Sequence, residues 1–262
     1  MTPTSPRPTQ GCVVHQRRAA YLVPDKRVRL LAEGESLGVY RQLTLATRLP
    51  LGRLDRIVCN KNVDWCGAAI TACLERGIPI TWVDVRGTPL GDCVGRVEGD
   101  PEVVEMLVRY LDLPDWESRL EHWTRRRRLA VLVRFAKDRA EAGNPLTSQI
   151  LEQCKRDFVY RGQMPASARE YRGWFDALIA SRLHSAGLPS RLWGAGPKVF
   201  NLARRLADLL IGEFSLDIGI LPASAATVRE KTLFFEAWRD RAELRLVEIV
   251  ASLLGHVARE VA

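Results

Sequence analysis

Hydrophobic positions in this chain change their period near residue 95. From 19 to 95 they tend to alternate with polar ones, the pattern of half-buried strands, whose successive side chains point to opposite faces. Ala20-Tyr21-Leu22-Val23 reads as a short strand, Pro24-Asp25 as a turn, and Arg27 to Leu31 as a half-buried strand. Glu33-Gly34-Glu35 predicts a turn, Leu37 to Leu43 a strand, and Leu54 to Cys59 another, entered through Arg48-Leu49-Pro50-Leu51. One helix interrupts the series. Asp64 is placed to cap a segment from Trp65 to Arg76, with apolar residues at 65, 66, 69, 70, 73 and 74, and Gly77 ends it. Ile78 to Val83 suits a buried strand, closed by a turn over Asp84 to Gly87.

From Glu102 the period becomes helical, with segments at 102–112, 115–141, 147–159, 167–184, 197–212 and 227–260, the last with breaks. Gly143-Asn144-Pro145, Gly187-Leu188-Pro189 and Gly194-Ala195-Gly196-Pro197 mark loops between them. Between the two textures, Val94 to Pro101 carries two glycines, a proline and three charges, the make-up of a hinge. The expected class is α+β: a disordered tail over 1–18, a small β-rich domain over 19–95, a hinge over 96–101, and a larger all-α domain over 102–262.

Composition narrows the chemistry. No run is long enough to cross a bilayer. Met1 to Gln10 is rich in Pro, Ser and Thr and lacks an apolar h-region, which argues against secretion and for the cytoplasm. The net charge of +8 is carried by 33 Arg and 6 Lys. A guanidinium is a planar fork of donors suited to phosphate, so the surplus leans toward nucleic acid; an Arg-rich codon bias is the plain alternative. The six cysteines form no C-x-x-C pair, and the histidines at 15, 122, 184 and 256 are far apart in sequence, so a zinc site is poorly supported. Cys66 and Cys73 share a helix face and are expected to be buried. Trp116, Trp123, Trp174, Trp193 and Trp238 fall at apolar helical positions, as core residues do. His122 and His184 are lone histidines on amphipathic helices.

Three stretches carry a resemblance. "LERGIPITWVDVRGTPLG" (74–91), "NLARRLADLLIGEFSLDIGIL" (201–221) and "LFFEAWRDRAEL" (233–244) resemble, in order and spacing, segments of the CRISPR-associated spacer-acquisition integrase/endonuclease family. The likeness runs from about 19 to 260. It implies a β-rich dimerisation domain before a helical one, a homodimer, double-stranded DNA as ligand, a small ferredoxin-like partner, and a place in antiviral defence.

The family cuts and joins DNA with a divalent metal held by a Glu, a His and an Asp or Glu on helical segments. Hard cations need anionic oxygen ligands, and the bound metal polarises the phosphate. Matched to the family pattern, those positions fall on Ser167, Pro222 and Leu233, none of which offers a carboxylate or an imidazole. Glu236, three residues after Leu233, keeps a carboxylate, and Glu170 follows Ser167 by nearly one turn. Glu170 and Glu236 are therefore the catalytic candidates, Glu236 the metal candidate, and Glu170, Glu236 and Asp240 an alternative ligand set. No cofactor is expected unless that set binds Mg or Mn.

Candidate DNA contacts are Arg125, Arg126, Arg127, Arg128, Arg134, Lys198, Arg204 and Arg205, with Lys137 as an extension of the patch. Consecutive helical residues point in different directions, so the run at 125–128 cannot all face one phosphate backbone. A solvated helix with links to Glu117 and Glu121 is the alternative. The glycine-rich "WGAGPK" (193–198) lacks the spacing of a nucleotide-binding loop. Three functions stay open: a DNA-binding relative of the integrase without metal-dependent strand transfer, an active nuclease or integrase with displaced ligands, and an adaptor that binds neither DNA nor metal.

Overall fold

The computed structural model describes residues 17–96, 99–163, 165–193, 202–218 and 228–262. The strands are β1 (Arg18–Leu22), β2 (Val28–Glu33), β3 (Ser36–Arg41), β4 (Thr44–Pro50), β5 (Leu54–Asn60), β6 (Val63–Trp65), β7 (Ile80–Val83) and β8 (Pro89–Cys93), with helix α1 (Gly67–Glu75) between β6 and β7. Then come α2 (Pro101–Leu111), α3 (Trp116–Glu141), α4 (Ser148–Cys154), α5 (Ala166–Arg169), α6 (Arg172–Ser185), α7 (Ser190–Trp193), α8 (Leu202–Ile218) and α9 (Val228–Val261). The class is α+β, as the change of period predicts: a β-rich region over 18–93 and a mostly helical one after it.

The strands form two sheets, ordered β1-β5-β7-β8 and β4-β3-β2-β6. β1, β5 and β7 are parallel, and β8 is antiparallel to β7. Parallel neighbours need a crossover, and α1 lies in the one between β5 and β7. Alternation holds on β2, where Val28 and Leu30 are buried and Arg29 is exposed. It fails on β5, buried from Arg56 to Asn60, because both faces are covered. Ile57 and Cys59 join a core with Leu30, Leu37 and Val39 of the second sheet, while Val58 packs with Val83 and with Ala177 of α6.

Two glycines set how closely α6 approaches. The Gly173 N–H donates to the Gly87 carbonyl at 2.9 Å. A Cβ on Gly173 would lie 2.3 Å from Val83 Cγ1, and one on Gly87, at φ +86°, would lie 2.2 Å from the Trp174 ring. The helix therefore docks on the β7–β8 turn only because both positions lack a side chain.

Several boundaries differ from expectation. Asp64 caps no helix: it sits in β6, paired with Arg29 of β2, and Cys66 is the N-cap of α1. The Cys66 N–H, which an Asp64 cap would have served, donates instead to the Leu30 carbonyl of β2 at 3.2 Å. Residues 44–50 form a full strand, reached through a turn in which Gln42 (φ 47°) and Leu43 (φ 70°) are both left-handed. Such turns favour Asn-Gly, and the lack of that signal hid the hairpin. β8 carries the first sheet past Gly91, with the Thr81 hydroxyl donating to Asp92 at 2.6 Å. The helix expected over 147–159 gives way after α4 to a π-helical turn, Lys155–Tyr160. The one expected over 167–184 breaks between α5 and α6. α8 starts at Leu202 and outruns its expected end, and α9 is a single helix of 34 residues without breaks. Residues 1–16, 97 and 98 of the tail and hinge, and 194–200 lie outside the described residues.

The helical core centres on α6, α8 and α9, where Phe175 meets Phe214 at 5.2 Å and Phe214 meets Trp238 at 5.1 Å between ring centroids. Trp123, Trp174 and Trp238 are buried as core residues, and Trp116 is half-buried; the Trp193 side chain is outside the described set. Cys73 is buried but Cys66, at the cap, is only half so. Among the described residues no helix is long and apolar enough to cross a membrane.

Candidate carboxylate site and nucleic-acid interface

α9 turns Phe235, Trp238 and Ala242 into the core, and Glu236 comes to lie where α9 meets the first sheet. Its Oε1 accepts from the Tyr21 hydroxyl of β1 at 2.5 Å and from Arg56 Nη2 of β5 at 3.4 Å. Its Oε2 accepts from Arg239 Nη1 at 3.0 Å. Arg56 is 1% exposed and also holds Asp55 at 2.7 Å. Asp55 Oδ1 accepts from the Ser181 hydroxyl of α6 at 3.0 Å. Arg239 continues to Asp240 at 2.8 Å and Glu243 at 3.6 Å, and Glu243 pairs with Arg182 of α6 at 2.7 Å.

Burial pushes the Tyr21 phenol well above its ordinary value; Arg56 pulls it down and Glu236 adds to the rise. Tyr21 is therefore a neutral donor at physiological pH. Burial works against the Arg56 charge too, but the carboxylates of Asp55 and Glu236 oppose it, and the guanidinium is held above its usual range.

Glu170 caps the end of α5 and accepts from Lys231 Nζ of α9. Lys231 precedes Glu236 by five residues, about 7.5 Å along α9 and roughly 140° around it. The two candidate carboxylates thus have separate cationic partners. Asp240 is 73% exposed on its side chain and bound to Arg239. Pro222 and the Ser167 side chain are outside the described set. Among the described residues no group of three His, Cys, Asp or Glu side chains gathers to hold a metal. His122 is exposed, and His184 is half-buried, with burial lowering its pKa.

The arginine run on α3 divides. Arg125 and Arg126 are exposed. Arg127 and Arg128 fold inward, burial lowers the pKa of each, and their Nε atoms are buried without a hydrogen-bond partner among the described residues. Arg125 (3.7 Å), Arg128 (3.9 Å) and Arg205 of α8 (3.5 Å) converge on Glu121. Arg204, beside Arg205, is exposed, and its carbonyl accepts from Arg172 at 3.3 Å. Arg134 faces inward to Glu213 at 2.5 Å. Lys137 is exposed, linked to Glu141 at 3.6 Å, and Lys198 lies outside the described residues. The structure thus brings Arg125 and Arg205 together and sends Arg127 and Arg134 elsewhere.

Sequence reasoning missed Tyr21, Arg56 and Arg239. The available signal was the pair Asp55-Arg56 inside an otherwise apolar strand, since a charge buried on a central strand needs partners.

A cavity of about 700 Å³ lies apart from these carboxylates, between α3, the π-helical turn and α8, lined in part by Phe135, Ile150, Phe158 and Leu216.

The sequence matches the family model for CRISPR associated protein Cas1 over residues 21–152. No curated protein matches it. Among solved structures, a CAS1 protein from Thermotoga maritima superposes with a TM-score of 0.66 at 12% identity, covering 92% of this chain and 97% of that one. The complex of TtCas1 with DNA gives 0.51 at 15% identity, covering 93% and 90%. A casposase bound to its integration product gives 0.54 at 10% identity, covering 79% and 74%. At these identities the likeness is one of fold; the match to the family model, over half of the sequence, shows that the chain belongs to the Cas1 family of CRISPR associated proteins.

Proposed function

We propose that this protein is a DNA-binding Cas1 relative that holds duplex DNA without metal-dependent strand transfer. The observation that carries the reading is the occupancy of Glu236: both carboxylate oxygens already accept from Tyr21, Arg56 and Arg239. A magnesium ion keeps several waters and is held by one or two protein carboxylates together with substrate phosphates, so those carboxylates must be free to ligate it. Glu170 answers to Lys231, the side chains of Leu233 and Pro222 have no ligand atom, and Glu236 would have to release its donors first. The residues present do not fit a divalent metal, and no reaction step is derived through one.

DNA binding rests on the family, on the DNA and integration-product complexes of its structural relatives, and on the exposed arginines of α3 and α8. Arg125, Arg126, Arg204 and Arg205 are the contacts assigned to phosphate; Glu121 keeps Arg125 and Arg205 adjacent. A homodimer through the β-rich region, a small ferredoxin-like partner and a cytoplasmic setting complete the proposal.

Duplex binding titrated across salt, together with nicking and half-site integration of supercoiled DNA in magnesium and in manganese, tests it. The expected result is salt-dependent binding, weakened and with a flatter salt slope in Arg125→Ala/Arg205→Ala, with no nicking or joining. Metal-dependent cleavage that disappears on Glu170→Ala or Glu236→Ala overturns the catalytic half of the reading. Absence of binding at low salt overturns the DNA half.

A further inference from the structure

We infer that Arg56 and Arg239 serve Glu236 as built-in counter-ions in the place of a divalent cation, and that the resulting network is a tether fastening the β-rich region to α9 and α6. The inference deepens the proposed function, and rests on its premise that Glu236 holds no metal.

The contacts close a ring. β5 reaches α9 through Arg56 and Glu236, α9 reaches α6 through Glu243 and Arg182, and α6 returns to β5 through Ser181 and Asp55. β1 joins through the Tyr21 hydroxyl. A metal ion draws carboxylates from separate elements to one point because it needs several of them. A buried guanidinium does the same work with fixed directions: Arg56 holds Asp55 on one nitrogen and Glu236 on another. Unlike an ion, it cannot leave. The junction should therefore be indifferent to chelators and to added metal.

Arg56 is 1% exposed, whereas the Glu236 side chain is 27% exposed. Removing Glu236 leaves a buried cation with one carboxylate in place of two. Removing Arg56 leaves two carboxylates: Glu236, which still has Tyr21, Arg239 and water, and Asp55, 11% exposed, which keeps the Ser181 hydroxyl but loses its guanidinium. The tether therefore predicts two costly single variants and a double variant that costs less than their sum.

The experiment is thermal melting of the full chain without DNA, for wild type, Glu236→Gln, Arg56→Met and Glu236→Gln/Arg56→Met, each with EDTA and with millimolar manganese chloride. Expected are drops of several degrees for Glu236→Gln and for Arg56→Met, and a double variant that loses less than the two single variants together. The wild-type melting temperature is expected to be the same in EDTA and manganese. Additive losses, or single variants that melt like wild type, overturn the tether. A manganese-dependent rise in the wild type that is lost in Glu236→Gln overturns the counter-ion role and the premise together. Should Glu236→Gln fail to fold, Tyr21→Phe, which removes one hydroxyl, is expected to melt below wild type, and an unchanged value overturns the tether. Because no DNA is present, a chain that shows this pattern yet binds no duplex keeps the tether and loses only the DNA reading.

Discussion

Glu213, in the middle of the helical region, and Glu236, where the sheet meets α9, are each held by two arginines. At Glu213 the carboxylate is the hidden partner: its side chain is 4% exposed, against 31% for Arg134 and 22% for Arg245. At Glu236 the order is reversed, with the carboxylate 27% exposed and Arg56 1% exposed. The energetic question at a buried pair is which charge is left without water when its partner goes. Loss of the partner therefore strands a carboxylate in one region and a guanidinium in the other.

The largest expected effect follows from stripping Glu213 of both partners. Arg134→Ala/Arg245→Ala strands a buried carboxylate, and urea denaturation should register a loss of about 3–5 kcal/mol. A loss below that of Glu213→Gln would remove the distinction between the two sites.

Next in size is the glycine contact that lets α6 reach the sheet. Gly173→Ala drives a methyl group to 2.3 Å from Val83 Cγ1 and 2.6 Å from the Gly87 carbonyl, for an expected loss of about 1–3 kcal/mol. If the seam at Glu236 depends on that docking, Gly173→Ala also reduces the further loss caused by Glu236→Gln. Strict additivity in the double variant would show the two contacts to be independent.

Glu213→Gln itself should cost about 1 kcal/mol, because Arg134 and Arg245 can turn to solvent. A loss as large as that of the double arginine variant would break the asymmetry from the other side.

The smallest effect, visible as a pH dependence, sharpens the comparison with a third carboxylate. Asp176 of α6 is paired with Arg172 at 3.2 Å, yet burial prevails and raises its pKa from 3.8 to about 6, with Arg172 opposing and Asp92 adding to the rise. The folded chain thus binds this proton more tightly than the unfolded one. Its contribution to stability is present below the unfolded value and is lost as pH rises from about 4 to 6. Asp176→Asn should therefore melt above wild type at pH 7 to 8, with the gap closing toward pH 4. A gap independent of pH would assign the titration to another group.

The change of period near residue 95 and the helical stripes beyond it were legible in the sequence, because they follow from burial of one face. The turn at Gln42-Leu43 was not, since its left-handed backbone is imposed by the pairing of β3 with β4 and not by residues that favour it. Asp64 looked like a cap because its spacing to the apolar run was right; only the ladder to β2 shows otherwise. For the site, the expectation that Pro222 and Leu233 stand at family ligand positions, with Glu236 the nearby carboxylate, could be formed residue by residue from the sequence. What occupies Glu236 could not be read there. Tyr21 and Arg56 lie 215 and 180 residues away along the chain, and no local pattern links them. The division of Arg125 to Arg128, and the link to Glu121 on the same helix, were foreseeable as geometry, but which pair would face inward depended on the packing of α8 and α9, which bring Glu213 and Glu248 near Arg127.

α9 is unbroken from Val228 to Val261. Between Glu236 and Glu260, where Arg119 of α3 grips the helix, lies a rod of about 36 Å. Such a rod behaves as a lever. A tilt of about 5° pivoting at the Glu236 end would carry the Glu260 end through roughly 3 Å, given that length. That is enough to part Glu260 from Arg119 and to separate His256 from Tyr110, now 3.3 Å apart. With no break between them to absorb it, any tilt at the Glu236 end of α9 is carried to the Glu260 end.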